Sequence, residues 1–190
     1  MYRISSLTTS GNSLQGTFVA YASGGVTFPN GKSSDTGSFS ATFVRATSIS
    51  GSATPDGATN SSSFSLQYQQ SAYEQSASFA TIAGTYNGNL ENGAGGADGT
   101  TITVDSSGGW SGSSSGCGLS GQVSIPDATR NAYELSGTAT CSGTAATISG
   151  VALHTSSSSL LGSLGLATVG LTLEFGSGSN LLWAGALTRQ

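Results

Sequence analysis

Two runs, Cys117-Gly-Leu-Ser-Gly-Gln-Val-Ser-Ile125 and Tyr133-Glu-Leu-Ser-Gly-Thr-Ala-Thr-Cys141, decide how this chain folds. In the first, Leu119, Gly121, Val123 and Ile125 alternate with Ser120, Gln122 and Ser124; in the second, Tyr133, Leu135, Gly137 and Ala139 alternate with polar neighbours. A period of two marks a strand with one buried and one wet face, and residues 126–132 between the runs read as the connection of one antiparallel hairpin. With the arms symmetric about Thr129, Ile125 faces Tyr133, Val123 faces Leu135, Gly121 faces Gly137 and Leu119 faces Ala139. Cys117 then falls opposite Cys141. Directly opposed residues have Cα atoms about 4.5 to 5.5 Å apart, a span a disulfide can bridge. Closing this loop stabilises the fold by roughly 3 kcal/mol in the chain-entropy account, and such a bond persists in an oxidising compartment. The expectation is an exported protein with a Cys117–Cys141 cross-strand disulfide.

Working outward, the same alternation recurs at 17–22, at 38–45 (Phe39, Ala41, Phe43) and at 63–69 (Phe64, Leu66, Tyr68). Asn30-Gly31, Asp56-Gly57, Asn87-Gly88, Asn92-Gly93 and Asp98-Gly99 read as tight turns, because glycine supplies positive φ and Asn or Asp tolerates it. Residues 72–83 look helical: Tyr73, Ala77 and Ala80 share a face and Gly84 follows as a cap. The spacing predicts an all-β fold, an antiparallel meander forming a barrel or sandwich, with one short connector helix at 72–83. That helix divides an N-terminal β unit (1–71) from a C-terminal one (84–190), and the two are expected to share one core. Leu14-Gln-Gly-Thr-Phe18 echoes Ile82-Ala-Gly-Thr-Tyr86 and raises the question of a duplicated hairpin. In the last hairpin, Leu171, Leu173 and Phe175 alternate before a glycine-serine turn. The nearly all-apolar return at 181–187 predicts a central or barrel-closing strand.

Nearly half of the 190 residues are Ser, Thr or Gly, and 7% are charged against a usual value of about 25%. Solubility therefore rests on hydroxyls. A net charge of −4 with one lysine, Lys32, excludes nucleic acid, which needs clustered cations. No apolar run reaches the roughly 20 residues of a spanning helix. The opening Met1-Tyr2-Arg3-Ile4 has no apolar signal region, so an exported chain implies an engineered mature start. Membrane contact is then expected only through a lipid-anchored cysteine lost upstream.

Gly112-Ser-Ser114-Ser-Gly116 matches nucleophile-elbow spacing, and Asp127 and His154 follow in hydrolase order. An elbow needs a strained strand-to-helix turn, whereas this segment leads into a half-polar strand, so no catalytic residue is assigned. His154 is the single histidine, which rules out a paired-histidine zinc site. Glu74, Glu91, Glu134 and Glu174 are scattered as solvated charges, Asp98 reads as a turn residue, and no metal or cofactor is expected. Trp110 and Trp183 lie on alternating strands and are expected in the core, serving as ligand contacts if a ligand exists. Leu160, Leu161 and Leu164, in the apolar but aperiodic stretch 156–170, are expected as a buried core-plugging loop. Exposed together, they would be a partner patch.

The stretch from Ile82-Ala-Gly-Thr-Tyr-Asn-Gly88 through Gly116-Cys-Gly-Leu-Ser-Gly121 to the final hairpin resembles small β-rich lipoproteins and surface antigens of Gram-negative bacteria. The resemblance implies a non-enzymatic exported envelope or surface protein, in the periplasm or at the outer-membrane surface, of structural or partner-binding, antigen-like character. Gly84-Thr85-Tyr86 is similar to the first strand of avidin-type and lipocalin-type barrels, which implies the alternative of a small-molecule-binding barrel. The expected partner is accordingly a protein or a small apolar ligand. An eight-stranded outer-membrane barrel fits the length, but it wants apolar outward faces and the runs here place Ser and Thr outside.

Overall fold

The computed structural model describes residues 2–22, 27–28, 30–92, 96–155, 170–177 and 180–190. It is all-β, 67% strand and 5% helix. The chain divides into two compact units, one formed by residues 1–70 and the other by 71–92 and 97–190.

The first unit is an open antiparallel meander of β1 (Tyr2–Ser10), β2 (Ser13–Tyr21), β3 (Ser34–Val44), β4 (Ser48–Pro55) and β5 (Ser62–Gln67), in that spatial order. Register puts Leu14, Ala41, Gly51 and Phe64 in one row and Phe43, Ile49 and Leu66 in the next, so one face is apolar. The other face carries Ser38, Ser40, Thr42, Ser50, Ser52, Ser63 and Ser65. Phe18 opposes Gly37 and Phe39 opposes Gly16, and each phenyl ring covers the glycine across from it. Aromatic cover of this kind repairs the packing a strand glycine leaves open.

The second unit is a closed eight-stranded antiparallel barrel of β6 (Gly84–Asn92), β7 (Ala97–Val104), β8 (Gly109–Ser114), β9 (Cys117–Ser124), β10 (Tyr133–Cys141), β11 (Thr144–Thr155), β12 (Gly170–Ser177) and β13 (Asn180–Arg189). Each strand pairs with its sequence neighbour, and β13 closes the ring on β6, as its apolar sequence predicts. The central hairpin has the expected register: Val123 opposes Leu135, Gly121 opposes Gly137 and Leu119 opposes Ala139. Cys117 and Cys141 are disulfide-bonded with Cα atoms 4.3 Å apart. Tyr86, Leu90, Val123, Tyr133, Ile148 and Phe175 fill the inside, each at most 2% exposed. Thr101, Thr103, Ser111, Ser120, Ser136, Thr147 and Ser149 stand exposed outside.

Three expectations need correction. In place of one helix at 72–83 there are two four-residue helices, α1 (Gln70–Tyr73) and α2 (Phe79–Ile82). Barrel groups claim the backbone between them, since the Ala77 amide donates to the Ala128 carbonyl (3.0 Å) and the Ser78 amide to the Tyr133 hydroxyl (3.3 Å). Ser78 then caps α2 by accepting from the Thr81 amide at 3.1 Å, and Gly84 begins β6 instead of ending a helix. Asn87-Gly88 and Asp98-Gly99 lie within β6 and β7, where ladders on the neighbouring strands override their turn propensity. The Gly-Thr echo falls on unlike elements, mid-strand in β2 and across the α2–β6 junction.

Trp110, Gly121 and Gly137 form one row across β8, β9 and β10, and the indole lies over both glycines. A Cβ on Gly137 would meet the Ser120 carbonyl at 2.2 Å and the indole at 2.8 Å, whereas one on Gly118 would meet nothing within 4 Å. Gly137→Ala should therefore destabilise the protein by about 1–3 kcal/mol, and Gly118→Ala should be neutral or slightly stabilising, as read from urea unfolding midpoints.

Candidate functional site

The barrel interior is packed. A void of about 10 Å³, bordered by Ile82, Val104, Trp110, Tyr133, Leu171 and Phe175, has room for about one water. Pockets for drug-sized ligands run to roughly 300–1,000 Å³. Trp110 is a core residue, with its ring 5.2 Å from that of Phe175. Its indole N–H is nevertheless buried without an acceptor among the described residues, although buried indoles usually find one.

The two barrel ends are closed differently. At the end carrying the disulfide, the buried Trp183 indole donates to Asp98 Oδ2 (2.8 Å), and Ser115 Oγ donates to Asp98 Oδ1 (2.8 Å). Partial burial works to raise the Asp98 pKa, but hydrogen bonds from Ser115, Trp183 and Asn92 outweigh it and hold the carboxyl below its ordinary value. Trp183 is thus core at its ring and anchored at its nitrogen. At the opposite end, Ile82 of α2 enters the core, and the Tyr86 hydroxyl donates to the Ile82 carbonyl (2.8 Å). Asn131 lies buried beside the end of β11: its amide donates to the Tyr73 carbonyl (2.9 Å), and its side chain donates to the Ala72 and His154 carbonyls. The first of those side-chain contacts is 2.9 Å.

These ends separate the hydrolase-like residues. Ser114 ends β8 at the disulfide end, is fully buried and shares a hydrogen bond with Thr100 (2.7 Å). Asp127 follows β9 and His154 ends β11, both at the opposite end. The Asp127 carboxylate is engaged by the Thr129 amide (2.8 Å) and hydroxyl (2.7 Å). No nucleophile–base pair is assembled. Among the described residues, no group of three or more His, Cys, Asp or Glu side chains could hold a metal. Leu160, Leu161 and Leu164 lie outside the described residues.

The N-terminal sheet is the surface that sequence reasoning missed. Strands β1 and β5 are each paired on one side only among the described residues. Strand β1 is nine residues long, holds no proline or lysine, and has one charged residue, Arg3. Natural edges are commonly guarded by lysine, proline or short length. Ile4 and Leu7 on β1 are 57% and 52% exposed, and Leu66 on β5 is 59% exposed. All three belong to the apolar face, because Ile4 pairs with Phe18 and Leu7 with Gly16 across a bulge between Ile4 and Ser6. The bulge also explains why β1 is illegible in the sequence: its apolar residues stand three apart and break the period of two. The opposite face holds a shallow depression of about 420 Å³ lined by Ser6, Thr8, Gln15, Thr17, Ser38 and Ser40, all uncharged.

Asp98→Ala leaves the buried Trp183 N–H without its acceptor and should cost about 1–3 kcal/mol in chemical denaturation. A depressed carboxyl contributes stability above its ordinary pKa of 3.8 and loses it as pH falls through the folded value. The acid limb of a melting-temperature profile should accordingly flatten in this variant.

Compared with protein-family models, with curated proteins and with solved structures, this chain matches none.

Proposed function

We propose that this chain is a non-enzymatic, exported envelope or surface protein that takes an extended segment of a protein partner on β1, an edge strand of its N-terminal sheet paired on one side only among the described residues. The observation that carries the reading is β1: a long edge strand, without proline or lysine, that presents Ile4 and Leu7 exposed on the apolar face. Strand addition uses both features, since the edge's main-chain groups supply affinity and alternate side chains supply specificity. The barrel suits the role of a rigid body, being closed, filled and pinned by Cys117–Cys141. The disulfide supports export, because such bonds persist in oxidising compartments. The barrel's outer face carries hydroxyls where a lipid-facing barrel carries an apolar band.

The indole N–H of Trp110, without an acceptor among the described residues, favours a second reading, a small apolar ligand bearing one hydrogen-bond acceptor. Such a ligand needs the interior to expand well beyond the present void. Native mass spectrometry showing only the apo mass, together with no uptake of a hydrophobic fluorescent probe, removes this reading.

The edge reading is tested in cells expressing the precursor with its own export signal. A photo-crosslinking residue in place of Leu7 should give a discrete adduct, and one in place of Ser120 on the barrel wall should give none. Equal labelling at both positions, or none at either, overturns the edge as the contact. Antibody access to the protein on intact cells is the expected result for a surface module. Protection until the outer membrane is ruptured assigns the protein to the periplasm.

A further inference from the structure

His154 is the single histidine of the chain, and it sits where a charge is poorly tolerated. Its residue is 6% exposed, and its Nε2 has no hydrogen-bond partner among the described residues. Its backbone is held on both sides by one side chain, since the His154 amide donates to Asn131 Oδ1 (3.1 Å) and the His154 carbonyl accepts from Asn131 Nδ2. The same Nδ2 donates to the Ala72 carbonyl and the Asn131 amide to the Tyr73 carbonyl. Asn131 therefore ties the end of β11 to the start of the connector, residues 71–83, which runs across this end of the barrel.

The charged surroundings offer an imidazolium nothing. Arg189, at the end of β13, is the charged group that acts on His154, and it repels a second cation. Arg130, next to Asn131, is paired with Glu74 beyond Tyr73 at 3.6 Å. Leu171 faces His154 from β12, and residues 156–169, which follow β11, contain no titratable side chain. Tyr133 and Tyr86, at the same end, have hydroxyls whose ionisation burial pushes further up, so they stay neutral. Among these groups, no carboxylate balances a proton on His154.

The geometry points to an acid-sensitive latch, in which protonation of His154 breaks the Asn131 tie and loosens the connector from the barrel. Burial, and then Arg189, lower the His154 pKa below its ordinary 6.5. The sign follows: the unfolded or opened state binds the proton more readily, so the closed latch is fully stable above about pH 6.5 and weakens as pH falls below it. The disulfide end of the barrel has no such group and stays closed.

Hydrogen exchange on the full chain, with its disulfide intact and corrected for intrinsic rates, tests the latch. Between about pH 7.5 and about pH 5, protection of the Ala77, Asn131 and His154 amides should fall roughly tenfold or more, while that of Leu119 and Val123 holds. His154→Gln, neutral at both values, should abolish the difference. An equal fall in the variant, or no fall in the parent protein, overturns the proposal. Should the variant not fold, the lone imidazole resonance of the parent protein decides: titration below 6.5 is expected, and titration at or above 6.5 overturns it.

Discussion

The inside of an eight-stranded barrel is about as wide as the side chains that fill it, so a large residue on one strand requires room on its neighbours. Trp110 meets that constraint by lying over Gly121 and Gly137, which share its row on β9 and β10. Gly150 and Phe175 repeat the arrangement on β11 and β12, with Gly150 opposed by the larger residue. Much of the barrel follows from this exchange of bulk. A shift of β9 by one residue would turn Leu119 and Val123 outward and present Ser120 and Gln122 to the indole. The register that seats Trp110 is also the one that places Cys117 opposite Cys141, so packing and covalent closure specify the same pairing.

The two units answer the edge problem in opposite ways. The barrel removes edges by pairing β13 with β6, and polar side chains tie its two ends, Asp98 at one and Asn131 at the other. Among the described residues, the N-terminal sheet ends in β1 and β5, each paired on one side. Its glycines are covered by phenyl rings within the sheet, yet Ile4, Leu7 and Leu66 at its margins remain exposed. Buried side chains therefore fill the barrel, while exposed apolar side chains stand at the margins of the sheet.

Within the barrel, the buried Asn131 side chain joins the end of β11 to the connector. Buried amides of this kind are tolerated when every group is paired, and removing one partner leaves the rest costly. His154 lends this network its backbone, and its own Nε2 has no partner among the described residues. The end of the barrel that holds the connector thus carries a buried histidine whose pKa burial and Arg189 lower, whereas the other end carries the disulfide.

Much of the fold was legible because its determinants are local. Period-two alternation at 117–125 and 133–141 assigned strands, faces and register, and with them the disulfide; the apolar run at 181–187 announced a strand paired on both sides. Where a long-range partner overrode local preference, the sequence was silent or misleading. Asn87-Gly88 and Asp98-Gly99 have turn chemistry but are held straight by ladders, and Ala77 and Ser78 lie in a stretch of helical spacing but give their amides to the barrel. The candidate contact surface was hidden because the β1 bulge destroys the alternation that reveals a strand. By itself the sequence determined which hairpin residues face inward and which cysteines meet, since both follow from alternation along two strands joined by one short connection. The apolar run at 181–187 shows that its strand is paired on both sides, but tertiary structure alone decided which strand is its second partner, because strand 84–92 meets strand 180–189 across nearly a hundred residues, a choice that no local pattern encodes.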